Sequence, residues 1–377
     1  MNVLIIYPFY NQRELMHNFA TRLADGGIIV DSICINNFHC EKNTSLKWPK
    51  SFMLSIKVVN KNKVRQVVRG FVYITRRWLL PKCFSQYDLI DFHAYYPQYN
   101  HLMRTCVKKG LKFDITLWGS DLMRANNERR ELLKYGFDRA YRLKMTENLH
   151  GVLTKSFGTI YDNKCRVVYF GNSGLYHIDS LSDKNAVAIK QEMYGDTKGK
   201  KIVVLGYNGI PSQNHDVMIN AINQLSLPEK DSIHVVLPMT YGAPQAYVSE
   251  IKKMIEATQI SYTILDKFLQ SEQVAAIRKT ADVVVNVQNT DALAGSLQDH
   301  LYCGGVCIFG DWLNYSPYIN NGIYYINTSK EELVEHLKDV LHNFDNYHQQ
   351  CISNHDKIKS LFSWDATIKN QIAVYGE

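Results

Sequence analysis

The sequence contains no CxxC pair. Its eight cysteines are scattered, and Cys303 and Cys307, with three residues between them, have no second pair to match them. That spacing argues against a zinc centre and a disulfide framework, and free thiols in a reducing cytoplasm are expected. No stretch approaches the ~20 apolar residues that cross a bilayer, so any membrane contact is expected to be peripheral. The opening MNVLIIYPFYNQ turns polar too soon for a signal peptide. The GxGxxG turn of dinucleotide folds is missing, and so is any Asp-x-Asp pair.

What is present is a soluble globular composition, 46% hydrophobic and 21% charged, over 377 residues. That is too long for one ordinary core and predicts two domains. Charge is unevenly placed. Residues 1–200 hold 31 Lys/Arg against 17 Asp/Glu, an excess of 14 positive charges, and the remainder holds 12 against 19, an excess of seven negative charges. The basic half suits an anionic partner. Within it, residues 57–82 mix bases with apolar residues at near-helical spacing. Arg65, Arg69, Arg76, Arg77 and Trp78 are the candidates for contact with an anionic membrane surface. An ordinary solvated helix is the alternative for this segment alone.

Residues 287–308, VQNTDALAGSLQDHLYCGGVCI, stand out. The apolar run ADVVVNV before them reads as a buried strand. Gly295 and Ser296 could open a helix, which Gly304 and Gly305 would end, and VCIF reads as the next strand. A helix N-terminus after a strand offers backbone N–H groups and a dipole to phosphate. Gly295, Ser296 and Leu297 are those donors. Asp299, further along, could accept from ribose hydroxyls, and Asp291 could orient a sugar hydroxyl or simply cap the helix.

The whole chain alternates strands with helices in two series. NVLIIYP is a continuous apolar strand, followed by a helix ended by Gly26 and Gly27 and by the strand IIVDSICI. YDLIDFHAYYP, FDITLWGSD, GVLTKS (151–156) and CRVVYFGNS read as further strands. KIVVLGYNG restarts the pattern after a polar stretch. This predicts an α/β protein of two parallel-sheet units: residues 1–180, a linker at 181–200, and 201–355. Ligands of such sheets bind at strand C-terminal ends. There, His93 and Asp121 are competing general bases, each with a structural or capping alternative. Arg124 could hold a phosphate. Asn214 and His215 open a helix where a His could donate to phosphate, and Tyr241 could pack on a base or sugar.

The layout resembles a GT-B glycosyltransferase, and three places carry the resemblance. DALAGSLQDHLYCGGVCI is similar in register to the large retaining bacterial GT-B family, in which two Glu separated by seven residues stand before a Cys-Gly. Here Asp291, Asp299 and Cys303-Gly304 fall on those positions. LFSWDATIKNQIAVY (361–375) resembles that family's closing helix. Asn208, Gly209, Asn214, His215, Pro238, Met239, Tyr241, Gly242 and Tyr247 resemble the enterobacterial common antigen enzyme that transfers 4-acetamido-4,6-dideoxygalactose. The Arg and Lys of the retaining family's phosphate site are missing from 206–215.

The resemblance implies two Rossmann-like domains facing across a cleft, with residues 356–377 crossing back to the N-terminal domain. It implies a nucleotide-sugar donor held by Asn208, Gly209, His215, Tyr241, Gly295, Ser296, Leu297 and Asp299. Tyr7, Asn11 and Arg124 would meet a lipid-linked or oligosaccharide acceptor, with catalysis by His93, Asp121 or Asp291. The implied enzyme transfers sugar in bacterial surface polysaccharide synthesis such as O-antigen, lipopolysaccharide or capsule. It would retain configuration, use no metal or other cofactor, bind no nucleic acid, and work peripherally on the inner face of the cell membrane. An inverting transferase and a UDP-sugar 2-epimerase are the alternatives.

Overall fold

The computed structural model describes residues 1–8, 13–35, 39–44, 79–197 and 199–377. The chain divides into two compact units, residues 1–171 with 367–377, and residues 172–366.

Unit 1 is built on β1 (Asn2–Tyr7), β2 (Ile29–Cys34), β3 (His39–Glu41), β4 (Leu89–His93), β5 (Phe113–Thr116), β6 (Arg142–Met145) and β7 (Cys165–Val167). Their order in the sheet is β3-β2-β1-β4-β5-β6-β7, and all neighbours pair in parallel except β3 with β2. The continuous apolar run of β1 forms its centre, with Val3, Leu4, Ile5 and Ile6 fully buried. Helix Arg13–Asp25 covers it through Met16, Phe19, Ala20 and Leu23.

Strands β4, β5 and β6 break the apolar rule. Asp91, Asp114 and Arg142 stand side by side in one row across them, and His93, Thr116 and Lys144 in the next row. Residues two apart on a strand share a face, so this face is polar, yet all six residues are buried. Residues 367–377 supply its remaining partners. Thr116 and His93 meet Asp91 at 2.9 and 3.1 Å, and the Lys144 ammonium and the Tyr375 hydroxyl also bond to Asp91. Arg142 pairs with Asp114 at 2.9 Å and donates to the Val374 carbonyl.

Unit 2 carries β8 (Lys201–Leu205), β9 (Ile233–Pro238), β10 (Ser261–Leu265), β11 (Val283–Asn286), β12 (Val306–Gly310) and β13 (Ile326–Thr328). All pair in parallel in the order β10-β9-β8-β11-β12-β13. Its core is Val203, Leu205, Val235, Val283, Val285 and Ile308 of the sheet under Met218, Ile222, Ile251, Ile255, Leu333 and Leu337 of the helices.

Four expectations change. GVLTKS lies in helix Glu147–Phe157, because Leu149 and Leu153, four residues apart, are buried together and Gly158 at φ +71° ends the helix. The stretch taken as a linker, 181–200, contains helix Asp183–Tyr194, whose N-cap Ser182 accepts from Asn185 N–H and which packs on helix Ser271–Thr280. The first unit also ends at 171, not 180. Helix Gly174–Ser180 buries Leu175 and Ile178 and packs on helices Ser271–Thr280 and Gly295–Tyr302, while Lys279 donates to the Leu181 carbonyl at 2.8 Å. Likewise helix Asn354–Phe362 lies with unit 2, its His355 ring stacked on Tyr302 at 4.0 Å, and the chain rejoins unit 1 only from Thr367.

Candidate active site

In an open parallel sheet the binding crevice forms where strand order reverses, outside the strand C-terminal ends. Unit 2 reverses between β8 and β11, and unit 1 between β1 and β4.

In unit 2 the chain leaves β8 through Gly206 and Tyr207. Tyr207 N–H donates to the Gln213 side-chain oxygen at 3.1 Å, and the Gln213 amide donates to Gln288 beyond β11 at 2.7 Å. Two neutral amides therefore join the two strand ends, in the loop that lacks the Arg and Lys of the retaining family. His215 starts the next helix fully buried, with Nδ1 3.2 Å from the Tyr247 hydroxyl. Burial pushes its pKa down to about 4, so it is a neutral imidazole at neutral pH and brings no charge to a phosphate. Asn214 adopts the left-handed conformation at φ 58° and donates to the Val287 carbonyl. Gly209 N–H donates to the Tyr241 carbonyl at 2.9 Å, and a Cβ on Gly209 would stand 2.5 Å from that of Ala243. The two loops touch only because Gly209 has no side chain. Asn208 is buried and its amide reaches the hydroxyl of the half-exposed Tyr241.

Asp291, expected either to orient a sugar hydroxyl or to serve the turn before the helix, makes its bonds within the fold. It is buried, and accepts from the Tyr207 hydroxyl at 3.2 Å, the Tyr315 hydroxyl at 2.9 Å and the Ala294 N–H at 3.1 Å. It fixes the turn that leads into helix Gly295–Tyr302 by accepting the N–H of the N-cap residue Ala294. Leu293 in that turn sits at φ 63°, a strained conformation for a branched residue, and its carbonyl accepts from Gln298. Leu297 N–H is spent on the Ala294 carbonyl, so the donors at the helix start are those of Gly295 and Ser296.

Asp299 lies one turn along, and is buried. Its Oδ1 accepts from the Asn172 amide at 2.8 Å, and its Oδ2 lies 3.7 Å from Arg278 Nε. A Cβ on Gly174 would be 2.4 Å from Oδ1, so only glycine leaves room for the carboxylate. Burial raises the Asp299 pKa to about 6 against the pull of Arg278, Asn172 and His177. Arg278, His300, Asn172, Gly174, Gln213, Gln288 and Tyr207 were all missed in the sequence. The one local signal was His300, adjacent to Asp299.

In unit 1, His93 ends β4 at the reversal point, followed by Ala94 at φ 57°. Its ring is fully buried beside Asp91 and boxed by Phe19, Trp118 and Phe170, with centroids 5.7–6.1 Å away. Asp121, the competing candidate base, is fully buried. Its oxygens accept the N–H groups of Tyr95, Trp118 and Gly119 at 2.8–3.1 Å, which makes it the brace of the loop after β5. Tyr7 ends β1 buried, and Arg124 is exposed at the end of helix Ser120–Met123. Asn11, Arg65, Arg69, Arg76, Arg77 and Trp78 lie outside the described residues. Among the described residues, one cluster has metal-ligating side chains close together: His150, Asp162 and Cys165. It sits by β7, at the sheet edge, away from the reversal point.

Solved structures similar over their whole length include a glycosyltransferase from Rickettsia africae ESF-5, at 12% identity and TM-score 0.74, covering 99% of this chain and 97% of that one. Anabaena Alr3699/HepE in complex with UDP-glucose matches at 13% identity and TM-score 0.72, covering 100% and 99%. The sucrose-phosphate synthase of Thermosynechococcus elongatus matches at 12% and 0.71, covering 100% and 98%. The chain has the GT-B fold. No protein-family model matches the sequence, and no curated protein does. At these identities the likeness is one of architecture. It runs through both GT-B units, since nearly the whole chain is covered in each comparison.

Proposed function

We propose that the protein is a glycosyltransferase that moves a sugar from a nucleotide-sugar donor held by unit 2 to an acceptor served by unit 1. The observation that carries this is the helix start Gly295–Ser296 one turn from the buried carboxylate of Asp299, beside the strand reversal of unit 2 in a chain with the complete GT-B fold. Backbone N–H groups and the helix dipole meet the diphosphate, and stabilise the charge that grows on it as the C1–O bond breaks. Asp299 accepts from the ribose hydroxyls. HepE, a structural neighbour, was solved with UDP-glucose, which supports a uridine nucleotide as the first donor to try.

Retention is the stereochemistry we propose. Both candidate bases, His93 and Asp121, are fully buried, one against Asp91 and the other saturated by main-chain donors. This favours a front-face reaction in which the acceptor oxygen bonds to C1 while its proton passes to the departing diphosphate oxygen. We further propose a lipid-linked glycan as acceptor, in bacterial surface polysaccharide synthesis at the inner face of the membrane. The 14 excess positive charges of residues 1–200 support that reading. No metal has a part in the proposed step.

The test is a melting-temperature panel of nucleoside diphosphates and nucleotide sugars, since a ligand of the folded state raises the transition. At least one nucleotide sugar should do so for the wild type and fail for Asp299→Ala. Transfer to an undecaprenyl-diphosphate glycan, with the product anomer read by NMR, tests acceptor and stereochemistry. Turnover of the nucleotide sugar without any acceptor would replace this reading with that of an epimerase.

A further inference from the structure

Arg278 is an unusual residue to find in the last turn of helix Ser271–Thr280. It is only 5% exposed, and arginines are almost never buried unless paired. Its Nη1 lies 2.6 Å from His300 Nε2 and its Nε lies 3.7 Å from Asp299 Oδ2. A guanidinium has only donors and does not lose its proton, so His300 Nε2 accepts and the imidazole proton sits on Nδ1. Burial and the charge of Arg278 push the His300 pKa well below its ordinary value, so the ring is neutral. His300 thus clamps one arm of the planar fork without cancelling its charge, and the Nε side is left turned to Asp299.

We propose that Arg278 is a positioning residue: clamped by His300, it holds the Asp299 carboxylate ionised and turned to the Asn172–Gly174 turn. The proposal rests on the reading of Asp299 as the ribose acceptor for its functional meaning, but not for its geometry. Other ionisable groups stand around Asp299, and of the charges that favour its ionised form Arg278 acts most strongly, ahead of His177. His177 and Asp179 come from helix Gly174–Ser180, and Asp179 is bonded to the Tyr302 hydroxyl at 2.7 Å. Lys279 is turned to Asp183 and the Leu181 carbonyl. Cys303 caps the C-terminus of the helix that carries Asp299, and burial pushes its thiol up to about 12. His355, from helix Asn354–Phe362, faces Tyr302. Arg278 makes the ion pair with Asp299, at 3.7 Å.

An opposite charge at this range lowers a carboxyl pKa by about 1–3 units. With aspartate labelled at the carboxyl carbon, the Asp299 resonance, assigned by its loss in Asp299→Asn, is titrated by NMR. The wild type should titrate near the value of about 6 set by its surroundings. Arg278→Gln should move the midpoint up by about 1–3 units, and Arg278→Lys should bring it most of the way back. A midpoint that stays put in Arg278→Gln overturns the proposal. If Arg278→Gln does not fold, His300→Leu carries the test: it keeps the charge but frees the fork, so a smaller upward shift supports the proposal and no shift overturns it. UDP and its 2′,3′-dideoxy analogue, measured by calorimetry from pH 5 to 8, separate the two readings. The terminal phosphate titrates alike in both, so UDP affinity should fall more steeply than the analogue's as Asp299 gains its proton. If the midpoint moves in Arg278→Gln but UDP and the analogue behave alike, the ribose assignment fails while the positioning role stands.

Discussion

The two units reverse strand order in the same way and fill the neighbourhood of that point with opposite chemistry. In unit 1 the polar groups beside it are full charges, Asp91, Asp114, Arg142 and Lys144, sealed within the fold and bonded to one another and to the tail at Tyr375 and Val374. In unit 2 they are chiefly neutral amides and hydroxyls, Gln213, Gln288, Tyr207 and Tyr315, with Asp291 braced among them and Asp299 on a helix start behind. Compensated charge at the centre of a sheet gives a rigid, specified core. Neutral dipoles at a strand end leave the charge to be brought by a ligand. A buried ion pair is weak evidence for net stability, but breaking one is expensive. The difference separates a unit whose buried polar residues are paired charges from one whose polar residues are chiefly neutral dipoles.

The largest break in that contrast is Lys144→Met. It leaves Asp91 buried with less compensation, and urea unfolding should show a loss of ~3–5 kcal/mol. Burial alone would raise the Asp91 pKa, but Lys144 and His93 outweigh it and hold the group below the ordinary carboxylate range. Its stabilisation is therefore present above the unfolded value and lost as pH falls, so the stability gap between wild type and variant should narrow in acid. Next is Gly174→Ala, whose methyl would press on Asp299. It should cost ~1–3 kcal/mol of stability. Nucleotide affinity, read by calorimetry, should drop about tenfold if some 1.4 kcal/mol of that reaches the site.

Third comes the pH slope of Asp299. Its folded pKa of about 6 lies above the unfolded value, so the folded state binds the proton more tightly. Stability should decline as pH rises from the unfolded value near 4 to about 6, by on the order of 1–3 kcal/mol, and then level off. Asp299→Asn should lack that segment of the melting-temperature profile. The smallest effect is expected for Ser296→Ala, because the proposed phosphate contact is with main-chain N–H. Affinity should stay within about threefold of wild type.

Much of the fold was legible in the sequence. Continuous apolar runs such as NVLIIY and ADVVVNV are what strands buried on both faces require, and Gly26-Gly27 and Gly304-Gly305 closed their helices where expected. The misreadings have local causes. GVLTKS carries β-branched residues, yet the burial of Leu149 with Leu153 decided for helix over strand propensity. The helix at Asp183–Tyr194 escaped notice because its buried residues, Ala186 and Tyr194, are few and far apart. The alternation in LIDFH, FDIT and RLKM was visible, but it reads as a half-solvated sheet face until the tail covers it.

The sequence by itself determined two parallel-sheet units, a helix opening at Gly295 and an acid one turn beyond, because periodicity and glycine placement act over a few residues. Only the tertiary structure decided which acids are occupied. Asp91, Asp121, Asp291 and Asp299 look alike in the chain, and their partners come from residues up to 284 positions away. The free energy of a carboxylate depends on the donors and charges that the fold brings around it, so the roles of these four were set by folding.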